Sequence, residues 1–304
     1  MRIVSLVPSA TEMLFELGFG DQVVGVTHEC DWPIEALTRP RVTGDELPPG
    51  LTSAEIDAAV KERTERGQAI YSLDEEQLKE LEPDLIVTQA LCPVCAVSYE
   101  DVEAIAARMQ EPPVVIALDP HTLGEVINDT FTLAEAAGNV DAADEFVDDA
   151  RARIEAVTQA VHGLPRPGVA ALEWLDPPYS AGHWVPQMIE LAGGEDVFSN
   201  EGERSEEVTW ELAAALQPDS VIVMPCGYGT ERALEEANTY RKEFDTLGAE
   251  QIVAVDASAY FSRPGPRVVE GIELLARILH PDQFAFDDPL IASGARTVLD
   301  PREQ

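Results

Sequence analysis

Leu81-Glu82-Pro83-Asp84-Leu85-Ile86-Val87-Thr88-Gln89-Ala90-Leu91-Cys92 holds the fold in miniature. A helix ends, Pro83 and Asp84 turn the chain, and a short apolar run leads into a loop headed by Cys92. An apolar run of this length, bounded by turn residues and flanked by helical patterns, reads as a buried strand of a parallel sheet. The pattern returns at Leu216-Gln217-Pro218-Asp219-Ser220-Val221-Ile222-Val223-Met224-Pro225-Cys226. A second pair of segments, Glu16–Val23 and Glu190–Val197, recurs in the same order. Matches in the same order imply a duplicated α/β architecture.

Outward from Leu81, the first half alternates strand and helix. Strands are expected at Ile3–Val7, Gln22–Thr27, Gln68–Ser72, Leu85–Thr88 and Val114–Leu118. Helices are expected after Ser9 and at Ser53–Lys61, Asp74–Glu82 and Tyr99–Gln110, with Ser9 and Glu12 spaced as a capping box. Between Pro120 and Pro165 the strand signal stops and two helices fit, Leu123–Ala137 and Val140–Val161, split near Gly138. Val140, Ala143, Val147, Ala150, Ile154, Val157 and Val161 form one apolar stripe on the second. Its ~22 residues make a rod of roughly 33 Å, a spine between two lobes. Beyond it, strands Gly168–Glu173, Ser220–Met224 and Gln251–Val255 alternate with helices Trp184–Ala192, Val208–Leu216, Glu231–Leu247 and Arg267–Leu279. The expected fold is α/β: two Rossmann-like lobes with parallel sheets, 1–122 and 165–282, joined by a helical spine, 123–164. The tail, 283–304, is expected to pack loosely.

Charge bounds the partners. The chain of 304 residues carries 57 acidic against 20 basic side chains, a net −37, and only Lys61, Lys79 and Lys242 are lysines. Such a surface repels nucleic acid and anionic membranes. It resembles the surfaces of extreme halophiles, where salt screens the self-repulsion, and points to a haloarchaeal source. No apolar run approaches the ~20 residues that span a bilayer. The first strand begins at once with no leader before it, so a cytoplasmic protein is expected, or an extracytoplasmic one if a leader has been removed.

The loops that follow the strands of a parallel sheet form its binding crevice. They carry His28, Cys30, Asp31 and Trp32; Cys92 and Cys95; Trp174, Asp176 and Tyr179; Cys226 and Tyr228; and Ser258, Tyr260, Phe261 and Arg263. His183 sits beside Trp184 on the same rim. Aromatic walls with a few polar groups suit a large, flat, partly apolar ligand. His28, Cys30, Cys92, Cys95 and Cys226 also have the chemistry to bind zinc or an iron–sulfur cluster. The same thiols also fit small buried apolar groups, and a redox pair at Cys92-x-x-Cys95 is the less favoured reading because no thioredoxin-like order of elements surrounds it. There is no phosphate loop, no G-x-G-x-x-G after a strand and no G-x-S-x-G elbow, so a ligand-binding protein is favoured over an enzyme.

Val4-Ser5-Leu6-Val7-Pro8-Ser9-Ala10-Thr11-Glu12-Met13-Leu14, Val24–Thr27, Pro83–Ile86, Pro218–Val223 and Phe261-Ser262-Arg263-Pro264-Gly265-Pro266-Arg267 resemble the vitamin B12-binding proteins of the class III periplasmic binding family. These are the receptors of cobalamin and iron–siderophore ABC importers. The resemblance implies two lobes on one long helix, a corrinoid such as cobalamin held between them, and a monomer working with an ABC permease. It implies ligand contacts among Ser9, Asp31, Trp32, Trp174, Tyr179, His183, Tyr228, Tyr260, Phe261 and Arg263. Permease docking would fall to one acidic residue per lobe, Glu100 and Glu231. The rim cysteines are not a general feature of the family. They leave open an alternative: a metal- or cluster-dependent protein, or an enzyme, on the same fold.

Overall fold

Two short apolar runs, β1 (Ile3–Ser5) and Leu85–Gln89, lie side by side as parallel strands in the computed structural model, which describes residues 1–90, 97–284 and 289–299. The chain divides into two units, Met1–Pro120 with Gly124–Asp148, and His121–Leu123 with Asp149–Gln304.

The first unit adds β2 (Val23–Gly25), β3 (Thr43–Asp45), β4 (Tyr71–Leu73), β5 (Leu85–Gln89) and β6 (Val114–Leu118). Its main sheet has the order β2-β1-β5-β6, parallel throughout. The expected strand at Gln68–Ser72 is shifted to β4, and it pairs antiparallel with β3 away from this sheet. Sequence gave no hint of β3, because Thr43-Gly44-Asp45 carries no apolar side chain to mark it. The first helix, Pro8–Glu16, starts on Pro8, with Val7 as its N-cap and no side-chain cap. The expected Ser9–Glu12 capping box is therefore not formed. The fixed φ of proline suits the first helical position and moves the cap two residues upstream of Ser9, to Val7. A capping box does form at Thr52 and Glu55, where it was not anticipated, opening Ser53–Glu65.

The second unit holds β7 (Gly168–Leu175), β8 (Pro178–Ser180), β9 (Glu195–Asp196), β10 (Ser220–Val223), β11 (Gln251–Val255) and β12 (Ala295–Leu299). Their order is β12-β11-β10-β7-β8, with β9 also on β7. β10 is parallel to both β7 and β11, whereas β12 runs antiparallel along β11. The expectation of a loose tail is thus corrected: Pro289–Gly294 is a helical turn and β12 completes the sheet edge. The expected single helix Glu231–Leu247 breaks into Thr230–Thr239 and Arg241–Phe244. Tyr240, at the break, donates to Asp176 Oδ2 at 3.0 Å and stacks on Trp210, so tertiary anchoring outweighs helix continuation. The two proline-free helices are Leu123–Ala136 and Asp141–Ala160, with Gly138 at φ 85° between them. The boundary between the units falls inside the second.

The sequence repeat is a repeat of hydrogen bonds. Glu82 and Gln217, each just before Pro-Asp, both take left-handed backbone, with φ 41° and 50°. Asp84 Oδ2 accepts from the Arg2 N–H at 2.7 Å, and Asp219 Oδ2 accepts from the Gly168 N–H at 2.7 Å. In each unit that carboxylate ties the start of the neighbouring parallel strand to the turn. The main chains agree as well, with Asp84 N–H donating to Arg2 C=O and Asp219 N–H to Gly168 C=O, both at 2.8 Å. The second repeated segment matches one residue out of the expected register. Gly18 and Gly193 are the left-handed residues after the equivalent helices, and a 3-10 turn at Gly20–Gln22 lengthens the first copy.

Candidate functional site

In the first unit the carboxyl edge of the sheet carries a buried polar chain. Ser5 Oγ donates to Val7 C=O at 3.0 Å and Thr11 Oγ1 donates to Ser5 Oγ at 2.8 Å. Thr11 has then used its one proton, so the Cys30 thiol, 3.0 Å away, donates to it. Thr27 Oγ1 accepts from Glu29 N–H and lies 3.3 Å from the same sulfur, so its own proton points to Cys30. Cys30 is 1% exposed and sits in this hydroxyl chain. Arg41 fixes the surrounding loop by donating to the carbonyls of Thr27 and Cys30, each at 2.7 Å. His28 Nδ1 is 2.7 Å from Thr43 Oγ1, which also accepts the His28 main-chain N–H, and its ring lies on Tyr71. Trp32 stands out from the same loop, 52% exposed, beside exposed Asp31 and Ile34. Ser9 is buried in its helix at 1% exposure.

The metal reading fails among the described residues. No group of three His, Cys, Asp or Glu side chains comes together there to hold an ion. His28 and Cys30 are engaged by threonines, and Cys226 is exposed on the other unit. Cys92 and Cys95 lie outside the described residues. Zinc and an iron–sulfur cluster thus gain no support, and neither does the enzyme that would use them.

In the second unit the carboxyl ends of β7, β10 and β11 bring together Trp174, Tyr179, Cys226, Tyr228, Tyr260 and Arg263. Tyr228 turns inward, 3% exposed, edge-on to Trp174 and covered by the Arg232 guanidinium 3.7 Å from its ring. Phe261 is also core, 2% exposed, and its carbonyl accepts the Trp184 indole N–H at 2.9 Å. Trp174, Tyr179, His183, Tyr260 and Arg263 remain half-buried. The Trp174 Nε1 is buried and has no acceptor among the described residues. An orphaned donor of this kind costs about 1–3 kcal/mol. His183 takes left-handed backbone at φ 56° and its ring lies between those of His121 and Trp184. Asp256 caps the turn Ala257–Tyr260, accepting from Ala259 N–H at 2.8 Å, and so fixes the loop that carries Tyr260.

Glu100 and Glu231 occupy equivalent places. Each is the second residue of the helix that follows the third strand of its unit's parallel core, β5 or β10. Its own main-chain N–H, and then the Ser98 hydroxyl, hold the Glu100 carboxyl below its usual range, while Glu231 pairs with Arg296 at 2.9 Å.

The chain matches the periplasmic binding protein family over residues 3–254. It is 23% identical over 283 residues to the vitamin B12-binding protein of Vibrio cholerae, covering 91% of this chain and 88% of that one. It is 24% identical over 289 residues to the cobalamin-binding protein of Halobacterium salinarum, covering 92% and 69%. The crystal structure of the periplasmic vitamin B12-binding protein of Vibrio cholerae superposes with a TM-score of 0.67 at 21% identity, over 93% of this chain and 98% of that one. These findings overturn the expectation of a cytoplasmic protein and point outside the cytoplasm. A strand that starts at Ile3 marks where the folded unit begins and is the same on either side of a membrane.

Proposed function

This chain is a member of the periplasmic binding protein family, and from that premise we propose that it binds a corrinoid of the vitamin B12 type and delivers it to an ABC importer. Relatives covering nine-tenths of the chain are named for that ligand, which supports the choice. The observation that carries it is the rim chemistry. Trp32 on the first unit, and Trp174, Tyr179 and Tyr260 on the second, offer aromatic faces at the carboxyl ends of parallel strands. The half-buried guanidinium of Arg263 adds donors suited to the amide-fringed edge of a corrin. Tyr228, Phe261 and Ser9 act from beneath, as packing. Glu100 and Glu231 are the acidic groups to which basic residues of a permease would dock, one on each unit.

Titration with cyanocobalamin in molar KCl, followed by absorbance and calorimetry, tests the reading. A saturable isotherm is expected; Trp32→Ala tests the contribution of the first unit and Tyr260→Ala that of the second. Displacement by haem, or no binding at all, would assign the rim to another ligand. Glu100→Ala and Glu231→Ala should leave the isotherm unchanged.

A further inference from the structure

We propose that the C-terminal segment Pro289–Leu299 is a working part of the ligand rim, with Ser293 and Gly294 as positioning residues that set the Tyr260 ring for the ligand. The inference deepens the corrinoid reading and rests on it. Tyr260 leaves the short turn after β11 half-buried, and its hydroxyl is hydrogen-bonded to the Ser293 side chain. Ser293 Oγ is the donor to the Tyr260 oxygen, which is why this contact favours the phenolate, and the same hydroxyl also reaches Pro289 C=O at 3.0 Å. Gly294 lies flat on the same ring. A Cβ there would sit 3.0 Å from Tyr260 Cε2 and 3.0 Å from Leu274 Cδ2, so any larger residue must push the ring or the helix under it.

The segment is itself held on the rim from three sides. Gly294 C=O accepts the Asp256 N–H at 3.0 Å, at the residue where β11 gives way to the loop. Ser293 C=O accepts Thr230 Oγ1 at 3.2 Å, at the start of the helix after β10. Ala295 registers with Val255, the last residue of β11. One short stretch therefore joins the loops after two neighbouring strands and fixes the aromatic between them. A ring held in place before binding loses less freedom when the ligand arrives, which is how a group that need not touch the ligand raises affinity.

A double-mutant cycle on the full chain tests this, using cyanocobalamin as the probe. Ser293→Ala and Tyr260→Phe should each weaken binding by about 3–10-fold, and the double variant by no more than either alone. Ser293→Thr, which keeps the hydroxyl, should restore wild-type affinity. Gly294→Val should weaken binding further. Losses that add in the double variant, or a Ser293→Ala chain that binds like wild type, would overturn the inference while leaving the corrinoid reading intact. A wild-type chain that binds no cyanocobalamin would overturn that reading and this inference together.

Discussion

Two tryptophans of the second unit make a matched pair for perturbation. Trp184 is buried and its Nε1 donates to Phe261 C=O at 2.9 Å, whereas the Trp174 Nε1 is buried with no acceptor among the described residues. Replacing either by Phe removes about two ring carbons of packing, roughly 1.5 kcal/mol at about 0.8 kcal/mol per carbon. At Trp184 the change also strands the Phe261 carbonyl, for a further 1–3 kcal/mol or so. At Trp174 it removes a donor that was already unsatisfied, recovering about as much as the packing loss. Trp184→Phe should therefore cost roughly 2.5–4.5 kcal/mol and lower Tm by about 5–18 °C, at about 2–4 °C per kcal/mol for a unit of this size. Trp174→Phe should stay within about 4 °C of wild type. Calorimetric melting in molar KCl reads both quantities. Equal Tm losses for the two variants would refute the claim that one indole N–H is bonded and the other is not.

Burial, with the charges of Glu125 and Asp119 nearby, pushes the Asp129 carboxyl up to about 7 from 3.8. The folded chain then holds a proton that the unfolded chain has lost, so stability should fall as pH rises from about 4 to 7, and Asp129→Asn should flatten that slope in urea melts. Asp84→Ala and Asp219→Ala each remove the acceptor of one strand-start N–H at 2.7 Å, and should cost about 1–3 kcal/mol apiece by chemical denaturation. A large effect at only one of them would contradict their equivalence. With a net charge of −37, thermal unfolding should move upward steadily as KCl rises from millimolar to molar, and a flat salt profile would count against a surface limited by self-repulsion.

The strands and the long helix were legible because their residues repeat with the period of what they bury. The Pro-Asp turns were legible because proline and a left-handed neighbour leave few alternatives. β12 was not, since Ala295-Arg296-Thr297 alternates too weakly to announce a strand and its partner β11 lies about forty residues earlier. The rim positions could be read from strand ends alone. What could not be read was the direction each side chain takes there. Tyr228 and Phe261 look like Tyr260 in sequence, yet two turn into the core and one does not. Cys30 suggested a ligand for metal, but Thr11 and Thr27, distant or unremarked in sequence, claim its sulfur instead.

β12 has a further consequence, for solubility. Ile252, Val253, Ala254 and Val255 of β11 are buried apolar residues on a strand that β10 satisfies on one side only. Without β12 the other side would be a bare row of amides and carbonyls, an open template for strand addition from a second copy. β12 covers that side, and Arg296 on it is paired with Glu231. A chain cut before Pro289 should therefore self-associate through β11, the strand that the segment Pro289–Leu299 keeps covered.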